Sequence, residues 1–362
     1  MKRLLIIRLG ALGDLVHLSG TLDAVKYLKP ELELHLLTRP AYAQLAAMMP
    51  VVQHTWFWNP QAGWPSLWKT GKMLREAGIE SVVNLHPSFK TWLLTQCIRP
   101  SAGQAVYHKQ KLKQHGQAQR ALSRRHAIED FYQPFQKFLN LPEAADLPEG
   151  LLIPRLQQFN TASVFSSPYS STMPTKEPGS IWIGLIPGVG GKRANRAWPL
   201  QAWNALSQNL LAKSSNVHII LLGGIDEKAL ATELLNSLQE ASPASSTLAG
   251  ISHIHNHCGY WDIAGTIELM RQCDIVVGGD TGPLHLAAGL GIPVIGVFGP
   301  TAPTRTGPRG SAFPQSILPP ETLDCWPCEQ ASCLFFDERH LACMREISVE
   351  TVEKAILQTL SF

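Results

Sequence analysis

Short apolar runs alternate along this chain with longer amphipathic stretches. Residues 3–9, 32–38, 54–58 and 81–85 are brief, mostly apolar segments, and they read as strands. Between them, residues 14–29, a segment after Pro40 and residues 67–77 predict helices, and a further helix spans 126–139. The alternation restarts with a strand over 181–186, a helix from Pro199, a strand over 217–222, a helix from Asp226 and a helix over 262–272. It closes on strands at 274–277 and 292–299, which flank a small-residue helix entered through Gly282 and Pro283. Strands alternating with helices imply βαβ crossovers and parallel sheets, so the fold class is α/β.

Residues 163–180 break the pattern; they are rich in serine and proline, lack periodicity and read as a linker. The division is then a first domain over 1–162, a second over 181–346, and a C-terminal helix over 347–362 packing back on the first. In two α/β halves the ligand site is expected in a cleft at the carboxyl ends of both sheets.

Composition narrows this picture. At 362 residues the chain exceeds one ordinary core. Its charged fraction of 16% is low, and a net charge of +3 is too weak to argue for nucleic acid. Of the ten tryptophans, most are expected in packing and some stacked on sugars or bases. Arg8 and Asp14 interrupt the apolar start, which therefore reads as a first strand and not as a leader peptide. No run reaches the ~18 apolar residues of a membrane span. Seven cysteines, an odd number without a secretion signal, indicate a reducing cytosol.

Four places carry candidate chemistry. After the first strand, Gly10 and Gly13 let backbone approach a ligand, Asp14 opens a helix, and His17 follows one turn on. Asp14 reads either as a helix N-cap or as a general base, and His17 either as a half-buried helix residue or as a cleft residue. The spacing is not that of a dinucleotide-binding GxGxxG loop. Next, Gly188, Gly190 and Gly191 interleave with Lys192, Arg193 and Arg196 before Trp198-Pro199. Flexible backbone with lysine and arginine suits a diphosphate, and an ordinary solvated loop is the alternative. Third, Gly278-Gly279-Asp280-Thr281-Gly282-Pro283 turns from strand to helix with free N–H groups, a ready anion site, and His285 follows. Asp280 and Thr281 alone could be caps, and His285 a core histidine; together the set is more specific. Fourth, Cys325, Cys328, Cys333 and Cys343 begin like a zinc knuckle, yet their later spacing is irregular and favours reduced structural cysteines over a metal site.

Four motifs together resemble glycosyltransferase family 9, the ADP-heptose:lipopolysaccharide heptosyltransferases. They are Ile7-Arg8-Leu9-Gly10-Ala11-Leu12-Gly13-Asp14-Leu15-Val16-His17, Ala197-Trp198-Pro199, Asp280 to Ala288, and Phe298-Gly299-Pro300-Thr301. The Cys325 to Met344 run also resembles the heptosyltransferase II pattern. The resemblance covers essentially the whole chain. It implies the GT-B fold: two Rossmann-like domains facing a central cleft, acceptor on the first and nucleotide-sugar on the second. It also implies an inverting transfer with no cofactor required and an ADP-sugar as donor. Asp14 falls on the family's base. Asp280, Thr281, Gly282 and His285 fall on its donor-phosphate loop, and Arg196 on a basic position commonly lysine, which Lys192 supplements. Asp226 and Glu227 are both candidates for its acidic donor contact.

The expected acceptor is a lipid-linked anionic saccharide of the lipopolysaccharide inner core. Gly10, Gly13, His17 and the basic stretch with Lys109, Lys111 and Arg124 would face it, or a peripheral contact with the inner face of the inner membrane would engage that stretch; a solvated face is the alternative. Other GT-B donors would leave most of these residues unchanged. Two further classes are weaker: an NAD-dependent oxidoreductase lacks its glycine fingerprint here, and an exported sugar-binding protein lacks its signal.

Overall fold

A computed structural model describes residues 2–107, 125–157, 173–240 and 253–361, and these fall into two compact units, one ending at residue 157 and the other starting at 173. The basic stretch with Lys109, Lys111 and Arg124, and residues 163–172 of the expected linker, lie outside the described residues.

The first unit runs β1 (Arg3–Ile7), α1 (Leu12–Leu28), β2 (Glu33–Thr38), α2 (Ala43–Ala47), β3 (Val52–Phe57), α3 (Gly63–Glu76), β4 (Ser81–Asn84), α4 (Phe89–Ile98), β5 (Gln104–Val106) and α5 (Ala127–Leu139). Its five strands are all parallel, in the order β3-β2-β1-β4-β5. Central β1 is apolar on both faces because helices cover both; Leu4, Leu5, Ile6 and Ile7 are fully buried. One core layer joins Leu5, Ile7, Leu37 and Val82 to Leu67, Leu74 and Leu94 from α3 and α4. α4 and β5 escape the sequence reading: α4 lacks a clear apolar stripe, and β5 is a three-residue edge.

The second unit runs β6 (Ile181–Ile186), α6 (Leu200–Lys213), β7 (Val217–Leu221), α7 (Lys228–Glu240), β8 (Ile254–Asn256), α8 (Ile263–Gln272), β9 (Ile275–Gly279), α9 (Gly282–Gly289), β10 (Val294–Val297), α10 (Pro303–Thr306), β11 (Pro314–Ile317), α11 (Ala342–Arg345) and α12 (Val349–Leu360). Its six parallel strands lie in the order β11-β10-β9-β6-β7-β8. Both orders are doubly wound, with a reversal between β1 and β4 in one unit and between β6 and β9 in the other. Ligands bind at such reversals, outside the carboxyl ends of the strands.

Two boundary expectations change. α12, expected against the first half, buries Val352, Ala355 and Ile356 in the second unit's core with Trp203, Ile295 and Val297. Residues 173–180, expected as linker, begin the second unit. Lys176 Nζ sits 2.6 Å from both carboxylate oxygens of Asp274, and its N–H donates to Gln272 Oε1 at 2.8 Å.

Candidate active site

In the second unit, the loop after β6 and the turn after β9 meet at the strand-order reversal. Ile186 pairs with Gly278, so the chain leaves both strands at the same edge. The loop contains a 3₁₀ turn over Gly191–Arg196. From its end, Arg196 Nη1 donates to Asp280 Oδ2 at 2.7 Å and to the Asp280 carbonyl at 3.1 Å. Asp280 Oδ2 also accepts from Thr306 Oγ1 at 3.1 Å, while His285 Nε2 lies 3.2 Å from Oδ1. Both carboxylate oxygens are therefore occupied, and the side chain is only 3% exposed. Burial alone would raise its pKa, but the His285 hydrogen bond and the Arg196 charge outweigh that and hold it down to about 2.

Around this carboxylate stand Arg193, Arg196 and Arg305. Burial, and then the Arg196 charge, lower the Arg193 pKa, as expected where cations crowd together. Arg305 is held by Glu329, whose Oε2 accepts from Arg305 Nε at 2.8 Å and whose Oε1 accepts the Ala302 N–H at 3.0 Å. Thr281 is the N-cap of α9, but its buried hydroxyl makes no capping bond and has no partner among the described residues. Gly282 follows as the first helical residue, and the N–H groups of this first turn have no intrahelical acceptors. The turn thus offers free donors and a positive dipole end beside clustered guanidinium groups, an arrangement suited to an anion.

The two acidic alternatives separate. Glu227 Oε1 accepts the Gly190 N–H at 3.0 Å and Oε2 the Gly224 N–H at 2.8 Å, so it ties the glycine loop to the turn after β7. A Cβ at Gly188 would lie 2.1 Å from Glu227 Cγ, which explains a glycine there. Asp226 is exposed.

In the first unit, Arg8 leaves β1 and its guanidinium pairs with Asp14 Oδ2, while also donating to the Leu85 carbonyl across the β1–β4 reversal. α1 begins at Leu12 with Ala11 as N-cap, so Asp14 is the third helical residue and not the cap itself; its Oδ2 accepts the Ala11 N–H at 3.2 Å. Both bonds end on Oδ2. No bond from the described residues ends on Oδ1, and the side chain is 35% exposed. Gly10, at φ +130°, lets the chain make this turn with Tyr42 close by. Gly13 is buried in the first turn of α1. His17 is 3% exposed, its ring set edge-on to His126 at 5.1 Å between centroids. It packs α1 against the start of α5 and is not open to solvent.

His86 is a site residue the sequence reading missed. It follows β4 at the same edge, and burial, then the Arg8 charge, lower its pKa, with the charge of Asp14 also within reach. Arg305, Thr306 and Glu329 were likewise missed, since they come from segments far along the chain. A histidine two residues past an inner parallel strand was the available signal for His86.

The four cysteines lie on the loop that carries Glu329 and at α11. Burial raises the pKa of Cys325, Cys328 and Cys343, the last to about 12, and the Leu341 N–H donates to Cys333 Sγ at 3.4 Å. Among the described residues, the one trio of metal-type side chains with donor atoms within 4.8 Å of one another is Glu33, His35 and His54. There Trp56 Nε1 donates to His35 Nδ1 at 3.0 Å, which fixes the ring proton on Nε2, facing Glu33. That tautomer has no lone pair left for a metal.

Two doubly wound parallel sheets, one with a helix N-terminus beside clustered arginines and the other with a part-exposed carboxylate, are the parts of which GT-B enzymes are built. The family model for glycosyltransferase family 9 (heptosyltransferase) matches residues 67–335, and the chain belongs to that family. It is 24% identical over 352 residues to lipopolysaccharide heptosyltransferase 1 of Pseudomonas aeruginosa, covering 92% of this chain and 88% of that one. It is 28% identical over 172 residues to lipooligosaccharide heptosyltransferase 2 of Campylobacter jejuni, a match spanning about half the length of that relative (48%) and 47% of this chain. Among solved structures, ADP-heptose lps heptosyltransferase II of E. coli superposes with a TM-score of 0.73 at 19% identity, covering 100% of this chain and 99% of that one. E. coli heptosyltransferase WaaC with ADP gives a TM-score of 0.65 at 17% identity, covering 99% of each chain. At such identities the likeness speaks for the fold. No helix among the described residues is long and apolar enough to cross a membrane.

Proposed function

We propose that the protein transfers a heptose from ADP-heptose to an inner-core lipopolysaccharide acceptor with inversion at the anomeric carbon, and that Asp14 is the general base. The observation that carries this reading is the asymmetry of the Asp14 carboxylate: Oδ2 is held by Arg8 and the Ala11 N–H, while Oδ1 is left open on a part-exposed side chain. An acceptor hydroxyl placed at Oδ1 loses its proton to it as its oxygen attacks the anomeric carbon, and the bond to the ADP oxygen breaks.

The leaving diphosphate needs compensating positive charge. Arg196 and Arg193, the α9 N-terminus and the open Thr281 hydroxyl supply it, with Lys192 in the same loop. Charge stabilisation thus comes from the chain's own groups. Relatives support the donor: WaaC has been solved with ADP and with ADP-2-deoxy-2-fluoro heptose. His285 orients Asp280, which in turn aims Arg196. Glu227 shapes the loop, and exposed Asp226 is the better placed of the two acids to meet the donor directly.

The test is a panel of nucleotide-sugars incubated with the purified protein and a heptose-deficient lipopolysaccharide acceptor. Transfer from ADP-heptose, with the product linkage inverted, is the expected outcome. Transfer only from another nucleotide-sugar overturns the donor assignment, and tight NAD binding without ADP binding overturns the class of reaction.

A further inference from the structure

Of the ten tryptophans in the chain, Trp64, Trp68 and Trp92 are exposed, at 49%, 55% and 51%, and all three stand on the α3–α4 pair. Phe89, 67% exposed, completes the group. It lies edge-on to Trp64 at 6.4 Å and parallel to Trp92 at 5.8 Å between ring centroids. Helical spacing explains the surface: Trp64 and Trp68 are four residues apart on α3, and Phe89 and Trp92 three apart on α4. Gly71 and Cys97 bring the two helices close on their inner sides, since a Cβ at Gly71 would lie 2.5 Å from Cys97 Cβ. The aromatic rows therefore merge into one exposed face.

Solvent-exposed tryptophan and phenylalanine at this density are unusual for a protein surface and mark an interaction site. The charge around them selects the partner. Between Trp58 and Arg99 the chain carries Lys69, Lys72, Arg75, Lys90 and Arg99 against Glu76 and Glu80. Lys90 Nζ sits 6.0 Å from the Trp64 ring centroid. A second copy of the same face would bring like charges together, which disfavours self-association here. Amphipathic aromatic rings with Lys90 beside Trp64, and with exposed Lys69 and Lys72 (the latter 3.7 Å from Glu76) on the helix of Trp64 and Trp68, match the boundary between acyl chains and anionic headgroups. We infer that the exposed Trp64, Trp68, Phe89 and Trp92 of α3 and α4, with Lys69, Lys72 and Lys90, form a docking face for an anionic phospholipid bilayer.

The location gives the face a purpose. α3 and α4 follow β3 and β4, so Trp64 and Phe89 open their helices at the carboxyl edge of the same sheet that carries Asp14. Docked there, the membrane would present a lipid-linked saccharide to the edge where the base stands. That last step rests on the proposed transferase reading; the docking face does not.

The experiment is co-sedimentation of the full-length protein with vesicles of phosphatidylethanolamine containing about a quarter phosphatidylglycerol, with pure phosphatidylcholine as control. The wild type is expected to bind the anionic vesicles and leave the neutral ones. The double variant W68S/W92S should bind about tenfold more weakly, and K69Q/K72Q about fivefold more weakly with a reduced dependence on salt. Wild-type tryptophan fluorescence should be quenched by bilayers carrying brominated acyl chains, a readout needing no variant. Absence of vesicle binding, or W68S/W92S binding like the wild type, overturns the docking face. So does a lipid-free oligomer that W68S/W92S dissolves, since a second copy would then be the occupant. Transfer to a delipidated, soluble acceptor should be unchanged in W68S/W92S; loss of transfer by every form with vesicle binding intact would count against the transferase reading alone.

Discussion

The two units each place an arginine–aspartate pair at the reversal of strand order, and the pairs differ in what is left over. Asp280 is 3% exposed and spends both oxygens on Arg196, Thr306 and His285. Asp14 is 35% exposed and spends one oxygen, Oδ2, on Arg8 and the Ala11 N–H. A carboxylate with both oxygens engaged in a dry site is a strut: it fixes neighbours and cannot exchange protons in the working pH range. A carboxylate held by one oxygen on a part-exposed side chain is oriented and keeps its other oxygen unbonded among the described residues, which is what a general base requires. The same two residue types thus stand fully engaged in one sheet and half engaged in the other, and the proposed base is the half-engaged one.

The sharpest way to break this contrast is to neutralise each aspartate. Asp14→Asn keeps the hydrogen-bonding shape, so folding and ADP affinity should be nearly unchanged while kcat falls about 10³-fold, measured by single-turnover transfer. Retained turnover would remove Asp14 as the base. Asp280→Ala should act the other way round. It leaves the Arg196 charge in a mostly buried site without its partner, at a cost of about 3 kcal/mol of stability, seen as a lower denaturation midpoint for the second unit. An Asp280→Ala protein as stable as the wild type would mean that the strut is not structural.

Acid titration extends the contrast without mutation. The folded pKa of Asp280, near 2, lies below the ~3.9 of an unfolded aspartate, so its contribution is present above about pH 4 and is lost as pH falls toward 2. A separate loss sets in earlier. Burial, then the charge of His255, lower the His257 pKa to about 4, and Trp261 Nε1 donates to its Nδ1 at 3.2 Å, so a second ring proton would face a donor. The unfolded state binds that proton from about pH 6.5 downward while the folded state does not until about 4, so stability falls as pH drops through this window. The expected loss is about 2 kcal/mol, and His257→Gln should flatten it in denaturation curves recorded at several pH values.

The central strands and the motif residues were legible because they are where sequence and structure are most tightly coupled. β9 is fully buried and β1 is buried from Leu4 to Ile7, so their apolar runs, and the glycines that end β9, could mean little else. Arg196 and Asp280 fell in motifs, and they meet because parallel strands bring both loops to one edge. What escaped was set by tertiary partners. β8 alternates histidines with Ile254, and β11 opens with Pro314; both are edge strands without a continuous apolar run. Arg305 and Glu329 reach the anion site from far along the chain, and nothing local to either announces it. The open oxygen of Asp14 is likewise a property of where Arg8 comes to rest.

The smallest expected effect concerns the acidic pair after β7, and it tests whether a strut can be told from a ligand contact on the donor side alone. Glu227 resembles Asp280 in having both oxygens engaged, by the Gly190 and Gly224 N–H groups, whereas Asp226 resembles Asp14 in being exposed. Glu227→Gln keeps one acceptor and turns the other into a donor facing an N–H, which should loosen the glycine loop. That costs about 1 kcal/mol, or about fivefold in ADP affinity by calorimetry, together with a lower thermal midpoint. Asp226→Asn should leave the midpoint within about 0.5 kcal/mol of wild type, as surface exchanges do, and show its effect only when nucleotide is bound. If Asp226→Asn instead lowers the midpoint while Glu227→Gln does not, occupancy of the two carboxylate oxygens is the wrong criterion. The distinction drawn between Asp280 and Asp14 would then lose its basis as well.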